Sequence, residues 1–332
     1  MNSLYNYAPV ALFCYNRPDH LKRTVTALAH NLLASETDLY IFSDGPRSDI
    51  DAPYVQEIRQ FIKTIRGFQS IQIKESPNNI GLARSIIGGV SEVLQKHQRI
   101  IVIEDDIVLS ESALKYFNDA LDFYQFSENI YSISGYNFPD FPRPKNYMFD
   151  TYIIPRMQCW GWSTWREKWA HADFDMEDFD KFINDQKAVA KYIKRIGVNS
   201  LNTLKSCVQD GKDVWACRWV YAHFRDNAYC VCPIESFVEN IGLDGSGENC
   251  GNMNIENQAR LNAAKSFNFV SDAKLNQEIF GEFMVRAVPG TRLSHHLDSR
   301  KVQHKDKQIK HLWHRFTRKM GSFIDNTKSK NV

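Results

Sequence analysis

Apolar residues in the first 135 positions follow two alternating rhythms. Short apolar runs at 10–15, 39–43, 70–74, 100–103 and 130–134 read as strands. The run Ile100-Ile101-Val102-Ile103 is oily on both faces, as a central strand must be. Between these runs apolar residues recur every three or four positions. Leu21, Val25, Leu28, Ala29 and Leu32 do so within 19–33, and Tyr54, Ile58, Phe61, Ile62 and Ile65 further on; 81–97 and 112–126 share the rhythm. That spacing gives each helix one stripe to lay on a sheet. Strand–helix alternation predicts an α/β architecture, a mixed, mostly parallel sheet flanked by helices.

The strands end in polar residues: Asn16-Arg17, Asp44-Gly45-Pro46, Asn78-Asn79 and Glu104-Asp105-Asp106. In open α/β sheets ligands bind outside the carboxyl ends of the strands, so these tips are expected to converge on one crevice. The acidic triplet is the most informative of them. Adjacent carboxylates repel unless something positive sits among them, and Mg²⁺ or Mn²⁺ prefers such hard oxygens while leaving room for phosphates. The alternative is a solvated acidic turn that merely ends a strand.

After residue 134 the rhythm changes. Residues 135–170 are rich in proline and aromatics around Cys159-Trp160-Gly161-Trp162-Ser163-Thr164-Trp165, with Trp169 close behind. A buried aromatic core and a loop offering flat faces to a sugar ring both suit this run. Residues 175–195 read as a charged amphipathic helical segment, and Asp213 as the start of a helix carrying Val214, Trp215, Arg218, Trp219 and Ala222. The Gly/Asn-rich stretch 240–257 lacks the Lys-Ser/Thr of a phosphate-binding P-loop and reads as an active-site lid.

Composition adds limits. A chain of 332 residues, 43% hydrophobic and 24% charged, can bury a large core. No apolar run approaches the roughly 20 residues that span a bilayer, and Met1 to Tyr7 carries no secretory pattern, so a cytoplasmic location is expected. The seven cysteines form no CxxC pair and are expected reduced, with Cys230 and Cys232 as small buried strand residues. The net charge of +2 is uneven: from Arg300 onward ten Lys/Arg face two Asp, leaving the preceding residues acidic. Ile309, Leu312, Trp313, Phe316, Met320, Phe323 and Ile324 form a helical stripe opposite Lys310, His311, Arg315, Arg318 and Lys319. Such a helix suits an anionic membrane surface, reached through residues 305–332, or docking on the domain. Nucleic acid is not expected as a partner, because it would leave the oily stripe unexplained.

The order of these motifs resembles a known family. A strand ending Cys14-Tyr15-Asn16-Arg17-Pro18, a second ending Ser43-Asp44-Gly45, the segment Asn78-Asn79-Ile80-Gly81-Leu82-Ala83-Arg84 and a strand ending Glu104-Asp105-Asp106 look like a GT-A fold glycosyltransferase. They are similar to bacterial family-2 polysaccharide transferases and to the N-acetylglucosaminyltransferase I type. The resemblance implies a UDP-sugar donor, a divalent cation (Mn²⁺ or Mg²⁺) and a glycan acceptor. It implies that Tyr15 and Arg17 meet the base and ribose, that Asp44 bonds the uracil, and that Arg84 faces the diphosphate. Glu104 and Asp105 would hold ribose and donor sugar, Asp106 the metal, and Asp213 would be the base of an inverting reaction, with Asp210 and Asp244 in reserve. Glu at the first acidic position, rather than Asp, lengthens that side chain's reach.

The expected organisation is a nucleotide-sugar-binding half (1–135), an acceptor-binding, catalytic half of the same domain (136–299) and a basic tail (300–332). The tail suits a lipid-linked acceptor in bacterial surface polysaccharide synthesis (O-antigen or capsule type), on the inner face of the cytoplasmic membrane. Competing classes are a sugar-nucleotide nucleotidyltransferase, disfavoured because Asn16-Arg17-Pro18 is no Gly-rich basic loop, and a non-catalytic carbohydrate-binding protein on the same fold.

Overall fold

The computed structural model describes residues 7–247, 261–271 and 274–288. The chain divides into a compact unit, Met1–Pro289, and a second, Gly290–Val332; all described residues lie in the first. The basic tail and residues 248–257 of the Gly/Asn-rich stretch lie outside the described residues.

The first half alternates as the pattern predicts: β1 (Val10–Cys14), α1 (Pro18–Ala29), β2 (Asp38–Ser43), α2 (Ala52–Ile62), β3 (Ser70–Glu75), α3 (Leu82–Lys96) and β4 (Arg99–Glu104). Then come β5 (Ile107–Leu109), α4 (Ala113–Phe123), β6 (Ile130–Ser134), β7 (Thr151–Ile154) and β8 (Trp162–Trp165). The remainder comprises α5 (Arg166–Trp169), α6 (Phe179–Asn184), α7 (Gln186–Arg195), α8 (Val198–Gln209), α9 (Ala216–Arg225), β9 (Tyr229–Pro233), β10 (Val238–Asn240) and α10 (Gln277–Ala287).

Eight strands form one sheet in the order β3-β2-β1-β4-β8-β6-β9-β7, and β5 pairs with β10 separately. The stretch β3-β2-β1-β4 is parallel throughout, as is β6 with β9; β8 and β7 run antiparallel to their neighbours. All of β1 is buried, and alternate residues feed two cores. Val10, Leu12 and Cys14 pack under α1 and α4, whereas Ala11 and Phe13 face α3 and the aromatic cluster. Polar β3 ends the sheet, its Lys74 paired with Glu92 and its Glu75 with Lys63 at 2.9 Å, as suits an exposed edge.

In the second half the aromatic run takes its buried-core alternative, and two expectations change. Trp162 and Trp165 lie in a central strand: with Trp169 they are buried, and Trp162 stacks on Trp215 with centroids 5.1 Å apart. Segment 175–195 breaks into α6 and α7, because Asp185 accepts the backbone N–H groups of Lys187 and Ala188 and so caps a new helix. The helix expected to start at Asp213 starts at Ala216. Cys230 and Cys232 are buried strand residues, as their alternation suggested.

His223 of α9 is fully buried, with Nδ1 2.8 Å from the Trp219 carbonyl and Nε2 2.8 Å from the Ser132 hydroxyl. Both contacts suit the neutral ring, its Nδ1–H donating to Trp219 and its Nε2 accepting from Ser132. Burial pushes its pKa down to about 4, against the opposing pull of the Trp219 carbonyl. The unfolded chain therefore takes up a proton near pH 6.5 that the folded one refuses. The stability His223 contributes is present above that pH and lost as pH falls toward 4. Urea titrations should show wild type losing on the order of 3 kcal/mol relative to His223→Gln between pH 7 and 4. A constant difference across that range would refute this.

Candidate functional site

Strand register builds the site. Cys14 lies beside Ser43, and Phe13 beside Glu104. Tyr15, Asp44 and Asp105 therefore leave the sheet together, at the edge where parallel strands place ligands. A cavity of about 380 Å³ opens there. Its wall combines Tyr15, Asn16, Arg17, Asp44, Arg47 and the acidic triplet with Asn79, Gly81, Leu82 and Ser85 at the start of α3. The second half adds Cys159, Trp160, Val214–Ala216, Asn240, Ser246 and Gly247. Such a volume suits a small-molecule ligand, for which sites run to about 300–1,000 Å³.

The positive charge among the carboxylates comes from the chain itself. Arg17 Nη2 donates to Asp105 Oδ1, and Nη1 lies 2.9 Å from Asp106 Oδ2. That second contact lacks the angles of a hydrogen bond, and Nη1 is buried with no other partner. Burial alone would depress the guanidinium pKa, but Asp105 and Asp106 outweigh it and hold it raised. Asp105 also accepts from the Tyr15 amide at 3.2 Å, and its carbonyl accepts from Thr24 at 2.8 Å. Its carboxyl pKa is nevertheless raised, chiefly by burial. Burial, then Asp106 and Asp105, push the Glu104 carboxyl pKa well above the usual carboxylate range, against the opposing pull of Arg17.

The β10 segment closes over this cluster. Asn240 pairs with Ile107, and Ile241 N–H donates to the Asp106 carbonyl at 2.9 Å. A Cβ on Gly242 would stand 2.3 Å from Asp106 Oδ2 and 2.8 Å from Arg17 Nη1. Only a residue without a side chain permits that approach.

Asp44 lines the cavity, yet both its oxygens are engaged. They accept from the backbone N–H of Gly45 (2.8 Å), Ile80 (3.0 Å) and Gly81 (3.1 Å) and from Asn79 Nδ2 (3.1 Å). Its carboxylate organises the turn into α3, and as placed has nothing left for a base. Tyr15 donates its hydroxyl to Asp51 at 2.9 Å and accepts the Arg47 amide at 3.1 Å, with the Arg47 guanidinium 5.7 Å from its ring. Burial and the bond to Asp51 raise its pKa and keep it protonated.

Two expected site residues stand elsewhere. Arg84 is exposed on α3 and does not line the cavity; Arg17 and Arg47 are the arginines that do. Asp213 accepts from Leu82 N–H at 2.6 Å and Ala83 N–H at 2.8 Å. It thus caps α3 from 131 residues away, rather than capping its own helix or reaching into the cavity. Gly81, at φ +84°, brings its Cα against the same carboxylate, where a Cβ would lie 2.6 Å from Oδ2. Of the reserves, Asp210 ends α8, and Asp244 pairs with His20 at 3.2 Å. Arg47 was missed, although a base just past Asp44-Gly45-Pro46 at a strand tip is the signal that finds it. Trp160 is the tryptophan of its run that reaches the cavity, edge-on to Tyr136 at 4.5 Å.

The donor set suits a hard divalent ion, three adjacent carboxylates of which Glu104 makes no side-chain hydrogen bond among the described residues. They are not gathered for it: among the described residues no three His, Cys, Asp or Glu side chains converge on one point. Arg17 sits between the two aspartates.

A strand-tip cavity of this kind, on a mostly parallel sheet with an acidic strand end, defines a GT-A fold. The family model described as Glycosyl transferase family 2 matches residues 10–185, more than half of the chain. This chain belongs to that family. It is 25% identical over 186 residues to an alpha-1,3-mannosyl-glycoprotein 2-beta-N-acetylglucosaminyltransferase of Arabidopsis thaliana, across 51% of this chain and 41% of the plant enzyme. The match thus spans less than half the length of that relative. Among solved structures it resembles mannosyltransferase PcManGT from Pyrobaculum calidifontis, in complex with GDP-Man and Mn²⁺ (TM-score 0.33, 10% identity, 50% of this chain and 49% of that one). It also resembles S. aureus TarS (TM-score 0.29, 12% identity, 45% and 25%). These structural scores are too low to carry an argument about ligands.

If Asp213 serves as a cap, Asp213→Ala should destabilise the fold by about 1–2 kcal/mol. Asp213→Asn, which keeps one acceptor, should retain turnover within about tenfold. A loss of about 10³ in Asp213→Asn with an unchanged melting curve would restore it as the base.

Proposed function

We propose that this chain moves a sugar from a UDP-sugar to a glycan hydroxyl with inversion, using Mn²⁺ or Mg²⁺ at the acidic strand end. The observation that carries this reading is the joining of Arg17, Arg47, the acidic triplet and Trp160 around one cavity at the tips of β1, β2 and β4. A nucleoside diphosphate leaves with growing negative charge, and preorganised cations facing it lower the barrier. Arg47 offers a fork of donors suited to phosphate oxygens. Tyr15 frames one end of the cavity beside Arg47 and presents a ring for a base or ribose to pack on. Glu104, which makes no side-chain hydrogen bond among the described residues, would bond sugar or ribose hydroxyls, and Trp160 would offer a face to a sugar ring. Asp106, with Asp105, would hold the cation, which would neutralise charge on the leaving diphosphate. Asp213 accepts two backbone N–H groups of α3, and to serve as the base it would have to take the acceptor's proton from that position.

An N-acetylhexosamine donor is supported by the name of the plant relative. A lipid-linked acceptor in bacterial surface polysaccharide synthesis, at the inner face of the cytoplasmic membrane, is supported by the basic amphipathic pattern of 305–332.

A panel of sugar nucleotides assayed with Mn²⁺, Mg²⁺ or EDTA should give metal-dependent UDP release with one UDP-sugar. Asp106→Asn should lower that turnover by on the order of 10² or more. Release that ignores EDTA, or occurs with no UDP-sugar, would overturn the reading. Removing 305–332 should abolish binding to anionic vesicles and spare activity on a soluble acceptor; unchanged vesicle binding would remove the membrane from the proposal.

A further inference from the structure

We propose that Arg17 and a divalent cation compete for the same carboxylate oxygens, so that Arg17 must release Asp105 and Asp106 before a metal can take them. This rests on the reading of the acidic strand end as a metal site. The guanidinium bridges the two aspartates, bonding Asp105 Oδ1 and standing 2.9 Å from Asp106 Oδ2. Those are oxygens a metal would use, and a guanidinium and a metal ion cannot occupy one contact distance together.

Three further observations say which partner yields. The contact to Asp106 is an ion pair without hydrogen-bond angles, and among the described residues buried Arg17 Nη1 finds no other acceptor. Arg17 is therefore held at that end by charge rather than by the fit of its fork, the condition under which a stronger charge displaces it. The far side is closed by backbone, since a Cβ on Gly242 would already lie 2.8 Å from Nη1 and 2.3 Å from Asp106 Oδ2. No space remains there for the guanidinium to step aside while staying paired. Arg17 does line the cavity, so its way out leads into the ligand space.

Two consequences follow. Metal affinity of the free protein is held down by an internal competitor, since a ligand must outbid the contacts it replaces. The released guanidinium also adds a positive charge to the cavity at the moment the metal is loaded. Arg17 is thus a positioning residue that links the state of the acidic triplet to the charge of the cavity.

The test is Mn²⁺ binding to the full chain, read from free Mn²⁺ by electron paramagnetic resonance and from calorimetry. Arg17→Gln should bind Mn²⁺ at least about tenfold more tightly than wild type, and Arg17→Lys should fall between them. Without Mn²⁺ the melting temperature of Arg17→Gln should lie below that of wild type, because two buried carboxylates lose their partner. Saturating Mn²⁺ should raise it more than it raises that of wild type. If Arg17→Gln folds too poorly to assay, Arg17→Lys carries the test, since a point charge cannot bridge both aspartates. Equal or weaker affinity in both Arg17 variants overturns the competition, even where Asp106→Asn weakens Mn²⁺ binding and so upholds the metal site. Mn²⁺ binding unchanged by Asp106→Asn overturns the metal-site reading, and the competition with it.

Discussion

Mutual repulsion among Glu104, Asp105 and Asp106 is the constraint around which the site is organised. A strand buried along its whole apolar length delivers three carboxylates into a poorly solvated place. Nearby features then answer that cost. Arg17 turns inward from the start of α1, the Tyr15 amide and Thr24 hydroxyl bond Asp105, and the Glu104 carboxyl has its pKa raised, chiefly by burial. The β10 segment lies over the cluster with a glycine where a side chain would collide. Charge compensation here and ligand chemistry in the adjacent cavity use the same few atoms.

The fixed and the available carboxylates separate cleanly. Asp44 and Asp213 both accept backbone amides at the entrance to α3, one from the β2 tip and one from the segment before α9. Together they hold the turn that forms one wall of the cavity. Carboxylates at a helix N-terminus are favoured by the helix dipole as well as by hydrogen bonding. These two therefore shape the site, and the acidic triplet faces it.

Much of the first half was legible in the sequence because its signals are local. The β1, β2 and β4 runs are apolar on both faces, and polar residues mark where each ends. The strand β8 was hidden because Trp-Ser-Thr-Trp alternates only briefly within a long aromatic stretch. The outward position of Arg84 was not legible locally: three residues past Gly81, it stands on the exposed side of α3, away from buried Ala83 and Ile86. Asp213 was read from its own neighbourhood as a helix start, whereas its partners are Leu82 and Ala83. The pairing of Arg17 with Asp105 was not legible, because nothing local reveals a partner 88 residues on.

The position of β8 bears on how the chain can be divided. The boundary near 135 follows the change in sequence rhythm, and yet β8, from beyond it, lies between β4 and β6 and pairs with both. A fragment ending at 135 would leave Arg99 to Val102 along an unpaired edge of bare amides and carbonyls, an invitation to stick to another copy of itself. The emerging chain thus holds an incomplete sheet until its tryptophan-rich stretch arrives. The first 135 residues are one side of a shared sheet, and not a piece that can be cut out or shuffled.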